Sequence, residues 1–114
     1  MSEFDIAALQ ARLREFAAER NWERFHTPKN LVMALSVEAS ELLELFQWLE
    51  PGESLAAASD PTLSEAIADE IADVAIYLVR LADVTNVDMA AAIDRKLEKN
   101  ARKHPPGERA RSSS

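Results

Sequence analysis

Cysteine is absent from the 114-residue chain. That excludes a disulfide framework, a thiolate metal centre and a cysteine nucleophile. Glycine occurs twice, too seldom for a hairpin-rich β fold or for a glycine loop that cradles phosphate, so Walker-type and Rossmann nucleotide sites are excluded. Basic residues number 13 against 20 acidic ones, a formal net charge of -7, which argues against a general nucleic-acid binder. Apolar runs are broken by Glu or Asp every few residues, so neither a signal peptide nor a membrane span is expected. What is present is a hydrophobic fraction of 47%, enough for one packed core in a chain of one domain's length. The expectation is a soluble, cytoplasmic, all-α protein.

Four segments carry helical periodicity. The first runs from about Asp5 to Arg20, with Ile6, Leu9, Leu13, Phe16 and Ala17 on one stripe. A polar link dotted with aromatics, Asn21 to His26, leads to Thr27 as N-cap and Pro28 at the first helical position. The second helix is expected to reach Glu50, where Pro51 and Gly52 stop it, and Glu53 to Pro61 reads as a loop. Thr62 and Glu65 form a capping-box pattern for a third helix ending near Thr85. A corner at Asn86 to Asp88 starts a fourth, to about Lys103. Residues 1–104 thus read as the domain and 105–114 as a disordered tail. Short connections imply a four-helix bundle. The two middle helices are apolar on more than one face, so the protomer is expected to associate into a larger helical oligomer.

Carboxylates interrupt the apolar pattern. In the second helix the stripe 31, 35, 38, 42, 45, 49 puts Glu38 at a leucine position, with Glu41 three residues on. In the third, the stripe 63, 67, 70, 74, 77, 81 does the same with Glu70, and Asp73 follows. Antiparallel packing would set the two acidic pairs face to face. Four such groups near a core repel one another and resist desolvation. Either their proton equilibria shift or a cation neutralises them. Oxygen donors alone favour a hard ion, Mg²⁺ or Mn²⁺, over zinc. The plainer alternative is that one or two of the acids are solvated at the edge of the helix face. A di-iron bundle would need Glu-x-x-His pairs on helices, and neither His26 nor His104 supplies one.

These acids do not stand alone. Phe16 to His26, with Pro28, Asn30 and Leu31, precedes the first pair; Glu44, Leu45, Phe46, Gln47 and Trp48 follow it; Val74, Ile76, Tyr77 and Leu78 continue the second. Lys96, Asn100, Lys103 and Pro105 close the pattern. From Phe16 to Pro105 the chain resembles the MazG-like, all-α nucleotide pyrophosphohydrolases, and within them the dCTP pyrophosphatase branch. It departs from that pattern at Ser36 to Glu41, where relatives often carry glycine before or between the acids, and at His104, where tyrosine is usual.

The resemblance implies hydrolysis of a nucleoside triphosphate, with dCTP or a modified dCTP preferred, to the monophosphate and pyrophosphate. It implies Mg²⁺ at Glu38, Glu41, Glu70 and Asp73, and a homo-oligomer, a tetramer rather than a dimer. Glu41, second in its pair, is the candidate to activate water. Lys96, Asn100 and Lys103 share one helix face and suit the phosphates, although lysines near a helix C-terminus also complement its dipole. Trp22 and Trp48 would stack on the base, or be core or interface residues. His26 would hydrogen-bond base or sugar, or serve as a structural donor. Tyr77 would pack against deoxyribose, or lie in the core. Two other readings remain: the same chemistry on dUTP or oxidised nucleotides, and a non-catalytic helical interaction module.

Overall fold

The structure is a computed structural model that describes residues 4–107, so residues 108–114 of the expected tail lie outside the described residues. Among the described residues there are helices and no strands: α1 (Ile6–Glu19), α2 (Pro28–Glu44), α3 (Pro51–Ala56), α4 (Pro61–Val84) and α5 (Met89–Lys103), with single 3₁₀ turns at Glu23–Phe25 and Ala57–Ser59. Capping residues set most of the starts. Asp5 accepts from Ala8 N–H, Thr27 from Asn30 N–H and Asp88 from Ala91 N–H.

Three sequence expectations need correction. The second helix ends at Glu44, six residues early. There the ladder tightens, with Leu45 and Phe46 N–H donating to the carbonyls three residues back. Pro51 and Gly52 begin a helix instead of ending one, because Pro at the first helical position gives up no hydrogen bond and Glu53 accepts from Glu50 N–H at 2.8 Å. The long α4 is capped by Asp60, which accepts from both Thr62 and Leu63 N–H, and not by a Thr62–Glu65 box. With Pro61 behind it, a carboxylate is the stronger cap.

The most extensive contact is between α2 and α4, and α1 packs along α4. Leu31, Val79, Ala82 and Ala17 are buried at this three-helix junction, and Ala57 is buried beside α4. The fourth long helix does not join them: α5 makes no extensive contact with another element, its start only sharing a hollow with Ile6, Ala7 and Gln10 of α1, although Met89, Ile93 and Leu97 give it an apolar side. A compact chain of this length has a radius of gyration of roughly 13 Å; this one has 17.1 Å. Val37, Leu43 and Ile71, on the central helix pair, stay exposed. Within one chain, therefore, the described residues do not close a four-helix bundle.

Candidate active site

Each of the two central helices brings two carboxylates to their interface. Oxygen atoms of Glu38, Glu41 and Glu70 lie within 4.8 Å of one another. Asp73 lies beside Glu38, and Glu41 beside Glu70, close enough to act on each other's proton equilibria. Residue 38 meeting 73 while 41 meets 70 runs in opposite senses along the two chains, so α2 and α4 are antiparallel. Glu38, Glu70 and Asp73 are half-buried and Glu41 is exposed. Burial, then the neighbouring Asp73 side chain and the charges of Glu41, Asp73 and Glu70, push the Glu38 carboxyl up to about 7. Burial first, and the charges of Glu41 and Asp73 next, raise Glu70 as well.

Glu70 Oε2 is fully buried and has no hydrogen-bond partner. A buried acceptor left alone is costly, and buried polar atoms are nearly always paired. The donor set is all oxygen, converging from two rigid helices. An oxygen-seeking divalent cation would pair the orphaned atom and offset the repulsion. The residues present fit such an ion.

Next to the cluster a cleft of about 240 Å³ opens, lined by Leu13 and Phe16 of α1, Trp22 and His26 of the link, and Asp73, Ile76, Tyr77 and Arg80 of α4. Asp73, Tyr77 and Arg80 fall at i, i+4 and i+7, one stripe of the helix. The link is folded by local chemistry. Asn21 takes the left-handed conformation (φ 58°), which asparagine tolerates, and Trp22 N–H closes on Ala17 carbonyl at 2.9 Å. This turn lays the Trp22 indole edge-on against Phe16, ring centres 5.7 Å apart, while Arg20 stacks over the other ring at 3.4 Å. Asn30 donates to Phe25 carbonyl at 3.0 Å, which fixes the chain just before His26.

Arg80 is buried, 8% exposed. Its Nε–H donates to His26 Nδ1 at 3.1 Å and its Nη1 to Asp83 at 3.3 Å. Asp83 also accepts from Arg14 at 2.9 Å. Burial, and then the Arg80 charge, lower the pKa of His26, so the ring is neutral at neutral pH.

The structure thus brings Glu38, Glu41, Glu70 and Asp73 together, and Trp22, His26 and Tyr77 beside them. It does not bring Trp48 to the cleft: that side chain is 86% exposed in the turn after α2. Lys96, Asn100 and Lys103 do share a face, around a hollow with His104, but no α5 residue lines the cleft. Sequence reasoning missed Phe16, Leu13 and Ile76 as cleft walls, and it missed Arg80. The signal for Arg80 was a charged residue seven positions after Asp73 on the stripe that also carries Tyr77.

The MazG-like family model matches residues 33–114, and the chain belongs to that family. It is 47% identical over 110 residues to dCTP pyrophosphatase 1 of Homo sapiens, covering 96% of this chain and 62% of that protein. Against the Bos taurus protein of the same name it is 46% identical over 101 residues, 89% of this chain and 58% of that one. The chain therefore spans less than two thirds of the length of these relatives. A solved structure of a pyrophosphatase from Archaeoglobus fulgidus superposes with a TM-score of 0.83 at 40% identity, covering 92% of this chain and 96% of that one. No helix among the described residues is long and apolar enough to cross a membrane.

Proposed function

We propose that the protein is a Mg²⁺-dependent nucleoside triphosphate pyrophosphohydrolase that converts dCTP, or a modified dCTP, to the monophosphate and pyrophosphate. One observation carries this reading: Asp73 belongs both to the acidic cluster and to the aromatic cleft. A cation-binding end and a ring-binding end are therefore contiguous, and a triphosphate joined to a base is a ligand that needs both. The names of the relatives, dCTP pyrophosphatases and a pyrophosphatase, support the same class. Glu38, Glu41, Glu70 and Asp73 would hold Mg²⁺, with Mn²⁺ a workable substitute. When bound, such an ion polarises phosphoryl oxygens and neutralises charge on the departing pyrophosphate.

The chain's own side chains do the rest. Glu41, the exposed member of the cluster, accepts a proton from the water that cleaves the α–β phosphoanhydride. Trp22 and Phe16 supply the flat wall for the base, and Tyr77 packs against the sugar. Lys96, Asn100 and Lys103 reach the phosphates from an α5 that stands away from its own chain's acids, which requires assembly of several copies, a tetramer by family resemblance. The exposed apolar faces of α2, α4 and α5 are the surface that such an assembly would bury. Trp48 then lies at or near a copy-to-copy contact, where it can still approach a base. Pyrophosphate release from a panel of deoxynucleotides with and without Mg²⁺ tests the reading. Turnover fastest with dCTP and dependent on the ion is expected. No turnover with either Mg²⁺ or Mn²⁺ would overturn it in favour of a non-catalytic helical module.

A further inference from the structure

Arg80 has an unusual position for a charged residue. It is the buried cation of the described residues, yet the hydrogen bonds it makes are to His26 and Asp83, at the end of the cleft away from the acidic cluster. A guanidinium Nε–H can only donate. The His26 atom it meets must therefore be a lone pair, and that atom is Nδ1, at 3.1 Å. In a neutral imidazole one nitrogen carries the proton and the other accepts. With Nδ1 committed as acceptor, the proton sits on Nε2.

We infer that Arg80 is the positioning residue that fixes His26 as an Nε2–H donor, so that the cleft requires a hydrogen-bond acceptor on the nucleoside it receives. Asp83 holds the guanidinium plane in place through Nη1, and Arg14 holds Asp83 from the surface. A lysine would not do the same work, since its ammonium has no planar N–H fork to serve both partners at once. The acceptor is a base carbonyl oxygen or a ring nitrogen with a free lone pair, both of which cytosine carries on one edge. This inference rests on the reading that the cleft takes the nucleoside part of the substrate.

Two measurements test it. The ring ¹⁵N shifts of His26, assigned by comparison with the His104→Gln protein, report which nitrogen bears the proton. A proton on Nε2 is expected; a proton on Nδ1, or an even mixture of the two forms, overturns the inference, and this experiment needs no change at Arg80. Kinetics with dCTP and Mg²⁺ form the second. Arg80→Met should raise KM about tenfold, the loss of one well-placed neutral hydrogen bond, and leave kcat within about twofold. In a His26→Ala background the same substitution should move KM by less than about twofold, because its effect passes through the ring. Arg80→Lys should not restore KM. Equal losses in both backgrounds would show that Arg80 acts by itself and overturn the inference. A wild-type protein that hydrolyses no deoxynucleotide would defeat the proposed function, while the ¹⁵N measurement would still decide the Arg80–His26 link.

Discussion

The two ends of one stripe on α4 handle charge in opposite ways. At Glu70 and Asp73, carboxylates gather with those of α2, one buried oxygen has no partner and the Glu38 carboxyl is pushed up to about 7. About two to three turns further on, Arg80 is buried too, but it has a histidine lone pair and a carboxylate, and that carboxylate has a second arginine. One end is complete within the chain. The other has no such compensation among the described residues. Charge left uncompensated in a fold that compensates charge elsewhere supports the proposed cation site more directly than acidity alone would.

The strongest way to break this contrast is to remove the orphan. Glu70→Gln keeps the side-chain volume and deletes a repelled charge, so the ion-free protein should melt at a higher temperature. Turnover should fall at least about a hundredfold for every nucleotide, because the proposed cation would lose a ligand. Calorimetry without Mg²⁺ together with pyrophosphate release reads both. A variant that loses stability and keeps its activity would mean that Glu70 is an ordinary structural acid.

Stacking should give the next largest effect. Trp22→Ala removes the wall that faces His26 and Tyr77, and kcat/KM should drop about 5- to 150-fold, by an amount that depends on the base. Trp48→Ala separates two roles. If its exposed ring serves assembly, sedimentation and KM will change together as the protein is diluted; if it serves the base alone, only KM will move.

The acids were legible in the sequence because each of Glu38 and Glu70 stood where helical periodicity calls for leucine, and their partners followed by three. Charge in an apolar stripe is a signal that needs no tertiary information. Arg80 sent a weaker one. A lone arginine late in a helix reads as solvated surface, and only His26 from the link, with Asp83 one turn on, makes it an interior residue. The α2–α3 junction was misread because Pro51 starts a helix and stops one by the same chemistry, a missing N–H; which applies depends on whether Glu50 and Glu53 close a cap behind it. The helical pattern of α5 was plain, but amphipathicity does not say whether its apolar side meets the same chain or another copy.

Protons sharpen the comparison in a gentler way. Glu38 has a folded-state pKa near 7 against an ordinary value of 4.5. Between those values the folded protein binds more protons than the unfolded chain, so the ion-free protein should lose stability as pH rises from about 4.5 through 7. Glu70, raised for the same reason, adds to the trend. His26 has the opposite sign: its lowered pKa costs stability as pH falls below 6.5, which partly flattens the curve just below that pH. Saturating Mg²⁺ should reverse the slope, since the cation competes with the protons that the cluster would otherwise take up. Thermal melts at pH 5.5 and 8, with and without Mg²⁺, supply the four points; a slope that the ion leaves unchanged would place the raised groups outside any cation site.

The smallest expected effect lies at the compensated end, and it tests whether compensation or mere contact holds that end together. Arg14 is 54% exposed at the side chain and meets an Asp83 that Arg80 also holds. Arg14→Ala removes a pair of the surface kind, and the cost should be about 0–1 kcal/mol, smaller still in high salt. Asp83 keeps its buried partner, the guanidinium keeps its anion, and KM for dCTP should stay within about twofold of wild type. Asp83→Asn is the informative counterpart. It leaves the volume in place but takes the negative charge from between two cations, one of them buried, and should cost about 1–3 kcal/mol with a measurable rise in KM. Urea unfolding of the two variants at low and high salt reads the difference. Were Arg14→Ala the more damaging of the two, the network would be anchored from the surface inward, and Arg80 would owe its place to α1 packing on α4 and not to the charge beside it.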